Sequence, residues 1–221
     1  MKLAKHLFIS VLLLQGLVIC AQDAKMPVPP RFTLRINCGI PKITSSQLLR
    51  NSFSGVVMAD GNLNVKLFSN FFVGGGYSYS YFKAQRALSD VGIFTNMQLQ
   101  NGYLKIGFDK FISENQFLTF SVNTGYNYTF FQGIKYPHDS LVGRVPTNFT
   151  STFVEPQIGF YFLNDDNIAI GAQIGYYYNF SKFDIRQPVL DKWLTNSSKL
   201  KNNWDISAIN ISIGIYYGIG K

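Results

Sequence analysis

Along most of this chain apolar and polar residues alternate with a period of two, the repeat of a strand whose two faces meet different surroundings. The alternation predicts eight strands: Arg31–Ile40, Asn62–Phe68, Phe71–Phe82, Leu99–Phe111, Phe117–Phe131, Thr150–Phe162, Ile168–Phe180 and Asn203–Gly220. The second is the least marked, and Phe53–Met58 would extend it upwards. In the fifth, Leu118, Phe120, Val122, Tyr126, Tyr128 and Phe130 share one face, and Asn123, Gly125 and Asn127 the other. The seventh sets Ile168, Ile170, Ala172, Ile174, Tyr176, Tyr178 and Phe180 against Gly171, Gln173, Gly175 and Asn179. In the eighth, Ile209, Ile211, Ile213, Ile215, Tyr217 and Ile219 oppose Asn210, Ser212, Gly214, Tyr216, Gly218 and Gly220. The fourth breaks phase. Met97 and Leu99 are out of step with Leu104, Ile106 and Phe108, which predicts a bulge near Gln100–Gly102.

The connections alternate in length. Ser69-Asn70, Ser113–Gln116 and Leu163–Asn167 are short, whereas Pro41–Gly61, Lys83–Gln98, Gln132–Phe149 and Ser181–Asn202 are long. Short turns at one end and long loops at the other are the plan of a transmembrane barrel, with the long loops outside the cell and both termini periplasmic.

The first 30 residues read differently. Lys2 and Lys5 precede a mostly apolar run, Leu7 to Ile19, followed by Cys20, Ala21, Gln22 and Asp23. That order predicts a secretory signal over residues 1–21, too short to cross a bilayer as a helix. Leu17-Val18-Ile19-Cys20 is a faint lipoprotein signature, but Ile19 is too bulky for the position before a lipidated cysteine. Residues 22–30, with Pro27, Pro29 and Pro30, form an extended periplasmic lead-in, and 31–221 the barrel. Removal of the signal leaves Cys38 as the one thiol, hence no intrachain disulfide, and takes the net charge from +8 to +6 with the loss of Lys2 and Lys5.

Composition decides which face is enclosed. Charged residues make up only 14% and aromatics 16%, and no apolar run of the mature part approaches the roughly 20 residues of a membrane helix. Strands in lipid must satisfy every backbone group, so the sheet must close on itself. A soluble lipocalin-like barrel would reverse the faces, but its water-facing surface would carry many Lys, Glu and Asp. Here the polar face holds Gly, Asn, Ser, Gln and Tyr, which suit a narrow lumen, so the apolar face is predicted to meet lipid. Tyr77, Tyr79, Tyr81, Tyr126, Tyr128, Phe130, Tyr176, Tyr178 and Phe180 then form an upper aromatic girdle. Phe68, Phe71, Phe111, Phe117, Phe160 and Phe162 form a lower one beside the short turns.

Three stretches carry a resemblance: Phe153-Val154-Glu155-Pro156-Gln157-Ile158-Gly159-Phe160-Tyr161-Phe162, the Gly-rich Phe72-Val73-Gly74-Gly75-Gly76-Tyr77-Ser78-Tyr79, and the alternating last strand. With them the predicted mature chain resembles the small outer-membrane β-barrel domains similar to the membrane domain of OmpA. The resemblance implies an all-β, eight-stranded, antiparallel up-and-down barrel in the outer membrane of a Gram-negative-type envelope, inserted by the outer-membrane assembly machinery. One departure is that such barrels commonly finish on an aromatic residue, whereas this sequence reads Ile219-Gly220-Lys221.

The inward phase places Arg35, Lys105, Asn123, Glu155, Gln157, Gln173 and Asn210 near mid-lumen, with Lys66 and Asp109 lower. An unpaired charge in a confined lumen is costly, so Glu155 is expected to pair with Arg35 or Lys105. A polar plug that stabilises the fold is one reading of this cluster, and a narrow pore or transport-accessory channel the other. Pro156, on the lipid face, predicts a bulge or weakened pairing.

Catalytic signals are weak. His6 lies in the predicted signal, and His138, beside Asp139 and Ser140, sits in a long loop and reads as solvated. No strand carries a His to activate a serine, and no metal-ligand spacing, phosphate-cradling loop or cofactor motif occurs. The four long connections hold eleven Lys or Arg and five Asp, a net +6. The last contributes Lys182, Arg186, Lys192, Lys199 and Lys201 beside Trp193, a charge suited to the phosphates of lipopolysaccharide. Nucleic acid is not an expected partner. The function expected is a non-enzymatic outer-membrane barrel that supports the envelope, presents basic loops to lipopolysaccharide or partners, or forms a narrow pore.

Overall fold

The computed structural model describes residues 30–45, 47–68, 70–85, 96–132, 147–165, 167–184 and 203–219. Eight strands run β1 (Phe32–Ile43), β2 (Phe53–Lys66), β3 (Phe71–Ala84), β4 (Met97–Ser113), β5 (Gln116–Phe131), β6 (Thr147–Asp165), β7 (Ile168–Asp184) and β8 (Asn203–Ile219). They pair antiparallel in chain order, and β1 also pairs with β8, so the barrel is closed and has no free edge. A short helix, α1 (Gln47–Ser52), links β1 to β2.

The ladder climbs as it goes round. From Leu34 it passes through Leu63, Gly75, Leu104, Thr124, Val154 and Tyr178 to Ser207. The Ser207 carbonyl accepts from the Thr44 N–H at 2.9 Å, ten residues above the starting point on β1. A shear of this size over eight strands tilts them by roughly 40° and leaves an interior that side chains fill.

The two faces separate as the alternation predicts. Ile36, Leu63, Leu104 and Ile213 point outward and are 54%, 60%, 69% and 70% exposed. Arg35, Asn37, Asn62, Lys105, Asn123 and Glu155 point inward and are buried. A continuous aliphatic outer wall of this extent is stable against hydrocarbon and not against water, which removes the soluble lipocalin-like alternative.

Several local expectations change. The stretch Pro41–Gly61 is not a long loop. β1 continues to Ile43, β2 starts at Phe53, and residues 44–52 suffice between them. Pro41 fits there because the β1–β2 ladder has already stopped at Gly39 and Met58, and Gly55 lets β2 pass close over the Pro41 carbonyl at the Gly55/Val57 bulge. β7 likewise runs past Ser181 to Asp184. The remainder of the other three long connections falls outside the described residues.

The bulge expected near Gln100–Gly102 does not exist. The β4 ladders with β3 and β5 hold one register from Met97 to Phe108. Met97 and Leu99 break the outward apolar phase because they point inward, into an apolar cluster with Phe82 and Phe131. Phe111 and Phe117 also leave the predicted lower girdle. They are 6% and 1% exposed and pack inside with Tyr161 and Tyr216. At Pro156 no bulge forms. The β6–β7 ladder skips Glu155 and Pro156 and resumes in the same register, the weakened pairing expected of a residue without an N–H.

Candidate functional site

The interior is stacked in three layers. At the short-turn end the Arg35 side chain is fully buried and its Nη2 donates to Asp109 Oδ1 at 3.0 Å and Oδ2 at 2.9 Å. Nη1 donates to Thr119 Oγ1 at 3.3 Å, and Thr119 Oγ1 donates to Asp109 Oδ1 at 2.6 Å, closing a ring of three side chains. Aromatic faces box the guanidinium: its carbon lies 4.5 Å from the Phe72 ring centroid and 5.0 Å from that of Tyr216. Phe117 stacks on Tyr161 at 5.2 Å and meets Tyr216 edge-on at 5.2 Å, filling the section beside the ion pair.

The middle layer is an amide network around charges. Lys105 Nζ donates to Gln157 Oε1 at 2.8 Å, and Ser121 Oγ shares that acceptor at 3.3 Å. Glu155 takes one amide on each oxygen, Asn210 Nδ2 at 2.6 Å and Asn123 Nδ2 at 3.2 Å. The expected ion pair between Glu155 and Arg35 or Lys105 is therefore replaced by amides. The climb of the ladder sets Arg35 level with Asp109 instead. Asp60 accepts from Asn37 Nδ2 at 2.9 Å, Asn62 Nδ2 at 3.0 Å and the Tyr103 hydroxyl. Gln173 is buried, and its Oε1 accepts from the Tyr161 hydroxyl at 3.4 Å, joining this layer to the one below.

Towards the opposite end Asn127 Nδ2 donates to Asn101 Oδ1 at 2.7 Å, and Asn179 Nδ2 to Asn127 Oδ1 at 3.0 Å. Above them the polar lining gives way to apolar side chains, among them Ile43, Phe53, Phe82, Met97, Leu99 and Phe131. Leu49 from α1 is buried in the same cluster. The helix is held there by Gln85, whose N–H donates to the Ser52 carbonyl at 2.8 Å and whose Nε2 donates to that of Arg50 at 3.3 Å.

Asp60 belongs to this site although its segment reads as a loop in the sequence. The signal was present: Asp60, Asn62 and Asn64 recur at every second position and continue the inward polar phase of β2. Lys66 is partly exposed at the lower end, near Asp109 and Thr33. Among the described residues no three His, Cys, Asp or Glu side chains gather as a metal site. Lys182 falls on β7 with its side chain outside the described residues, as are Arg186, Lys192, Lys199 and Lys201; His138 is also outside them.

No protein-family model matches the chain, and no curated protein matches it in sequence. Solved structures do match in fold. Neisserial surface protein A superposes with a TM-score of 0.55 at 14% identity, covering 87% of this chain and 99% of that one. A major outer membrane protein from Thermus thermophilus gives 0.52 at 12%, covering 84% and 97%. Ail, the attachment invasion locus protein of Yersinia pestis, gives 0.49 at 12%, covering 86% and 100%. The first two likenesses show the fold. With the lipid-facing outer wall, they identify the chain as an integral β-barrel of the outer-membrane type.

Proposed function

We infer that the protein is a non-enzymatic, non-conducting barrel of the outer membrane, a wall element that supports the envelope and carries basic loops towards the phosphates of lipopolysaccharide or towards protein partners. The observation that carries this reading is the occluded lumen. An ion entering from below meets Arg35 and Asp109 boxed by Phe72, Tyr161 and Tyr216, and one entering from above meets the apolar cluster under Leu49. Passage would require breaking a buried, hydrogen-bonded ion pair, and opening one strands both charges. The ionisable side chains of the lumen are engaged with one another or with amides, which supports a structural role for them.

The same reading takes residues 1–21 as a cleavable export signal, residues 22–30 as a periplasmic lead-in, and the outer-membrane assembly machinery as the partner during insertion. It takes Lys182, Arg186, Lys192, Lys199 and Lys201 as the phosphate-facing group, because their clustered positive charge complements an anionic leaflet surface.

Purified protein in planar bilayers tests the first part. No discrete conductance steps are expected, and steps abolished by altering Arg35, Lys105 or Glu155 would replace this reading with that of a pore. Changing the five loop cations to Gln is expected to weaken binding to lipopolysaccharide vesicles, more at low salt than at high. Unchanged binding would remove the loop assignment.

A further inference from the structure

The outer wall is not uniform around the barrel. On β3 to β6, register lines up two successive outward rows near the extracellular boundary. One row reads Tyr81, Gln98, Phe130, Asn148, and the next reads Tyr79, Gln100, Tyr128, Thr150. Aromatic columns on β3 and β5 therefore alternate with amide and hydroxyl columns on β4 and β6, and none of these side chains is buried or charged. Tyr77, beside the second row, donates its hydroxyl to Gln100 Oε1 at 3.1 Å on the outer surface. On β1, β2 and β8 aliphatic side chains are exposed on the upper wall, including Ile40, Val56, Val57 and Ile211, whereas Tyr176, Tyr178 and Phe180 continue the rings on β7.

An interfacial aromatic girdle accounts for the tyrosines. It does not account for the Gln, Asn and Thr interleaved with them on β4 and β6. Amides and hydroxyls both donate and accept, and they are expensive against hydrocarbon, so this patch lies at or above the headgroup level. Flat apolar rings flanked by such groups match the chemistry of a sugar ring, which presents apolar C–H faces and a rim of hydroxyls. The eight side chains of the two rows are neutral, with Lys83 one outward position above Tyr81 at the edge of the patch, so the rows themselves favour a neutral group over phosphate. The patch faces sideways in the membrane plane, so it looks onto the headgroup layer of the outer leaflet rather than onto free solution.

We propose that the β3–β6 outer wall is a saccharide-binding face whose ligand is the uncharged sugar portion of the outer-leaflet glycolipid surrounding the barrel. Tyr79 and Tyr128 supply stacking surfaces, and Gln100 and Thr150 hydrogen bonds to ring hydroxyls. This assignment does not use the loop cations and needs no phosphate.

The test uses the full chain in phospholipid nanodiscs containing either lipopolysaccharide with its core sugars or the same lipid trimmed to its phosphorylated, acylated anchor. Native mass spectrometry counts the glycolipids retained. Retention of the sugar-bearing form is expected to exceed that of the trimmed form by about fivefold, the scale of a small hot spot. A combined Gln100→Leu and Thr150→Val variant, and separately Tyr128→Ala, should bring the ratio to parity, whereas Ile40→Ala with Ile211→Ala should leave it unchanged. Heat-dependent gel mobility selects folded barrels before counting; the Gln100→Leu and Thr150→Val changes roughly keep side-chain volume, so the wall is not hollowed out. Equal retention by the unaltered protein, or a preference that survives both wall variants, overturns the proposal. Neutralising the loop cations should lower retention of both lipids and preserve their ratio, so the two sites fail independently.

Discussion

Asp109→Ala isolates the strongest interaction in the lumen. Arg35 is fully buried, its partner carboxylate nearly so, and the pair is made at 2.9 and 3.0 Å with Thr119 bridging. Removing one member of a buried pair costs about 3–5 kcal/mol, because the remaining charge stays desolvated. The Thr119 contact at 3.3 Å and the Phe72 face at 4.5 Å are present with and without the Asp109 carboxylate, so they leave that penalty unchanged. The expected loss is thus about 3–5 kcal/mol, roughly two to four powers of ten in the unfolding equilibrium. Urea unfolding in lipid vesicles, followed by the heat-dependent shift in gel mobility, measures it. In the paired variant Arg35→Met with Asp109→Leu no charge is left stranded, and stability should return to within about 1 kcal/mol of the parent. A single variant as stable as the parent, or a paired variant as damaged as the single one, would refute the reasoning that stranded charge sets the penalty.

Other outcomes follow from particular contacts. Phe117→Ala hollows the lower aromatic layer and should lose about 3–5 kcal/mol in the same assay, whereas Leu118→Ala, its outward neighbour, should lose much less. Pro156→Val supplies the missing N–H to the β6–β7 ladder and should gain about 1 kcal/mol, with slower amide exchange around Tyr177; a loss would show that the gap is not a defect in pairing. Cys38 is exposed on the outer face between Ile36 and Ile40, so a water-soluble maleimide should label it only after the barrel is unfolded. Rapid labelling in intact vesicles would place that face in water and undo the orientation of the whole wall.

The misassigned positions have a common cause. Met97, Leu99, Phe111 and Phe117 are apolar or aromatic near strand ends, so residue type assigned them to a girdle or to a bulge. Their phase assigned them correctly: Met97 and Leu99 share a face with Asn101, Tyr103 and Lys105, and Phe117 with Thr119, Ser121 and Asn123. Where phase and residue type disagree, phase prevails, because a strand of unbroken register cannot turn one side chain round. Asp60 shows the same rule, its period-two series with Asn62 and Asn64 outweighing its place among turn-forming residues.

Sequence alone determined the number of strands, the identity of the two faces and the side that meets lipid, because each follows from local alternation and from the cost of polar groups in hydrocarbon. It also determined that the lumen would hold Arg35, Lys105, Glu155 and their amides. Only the tertiary structure decided which of them meet. Relative height across a closed barrel is the accumulated offset of eight ladders, a quantity no single strand contains. That offset brings Arg35 to Asp109, surrounds Glu155 with Asn123 and Asn210, and sets Leu49 over the mouth.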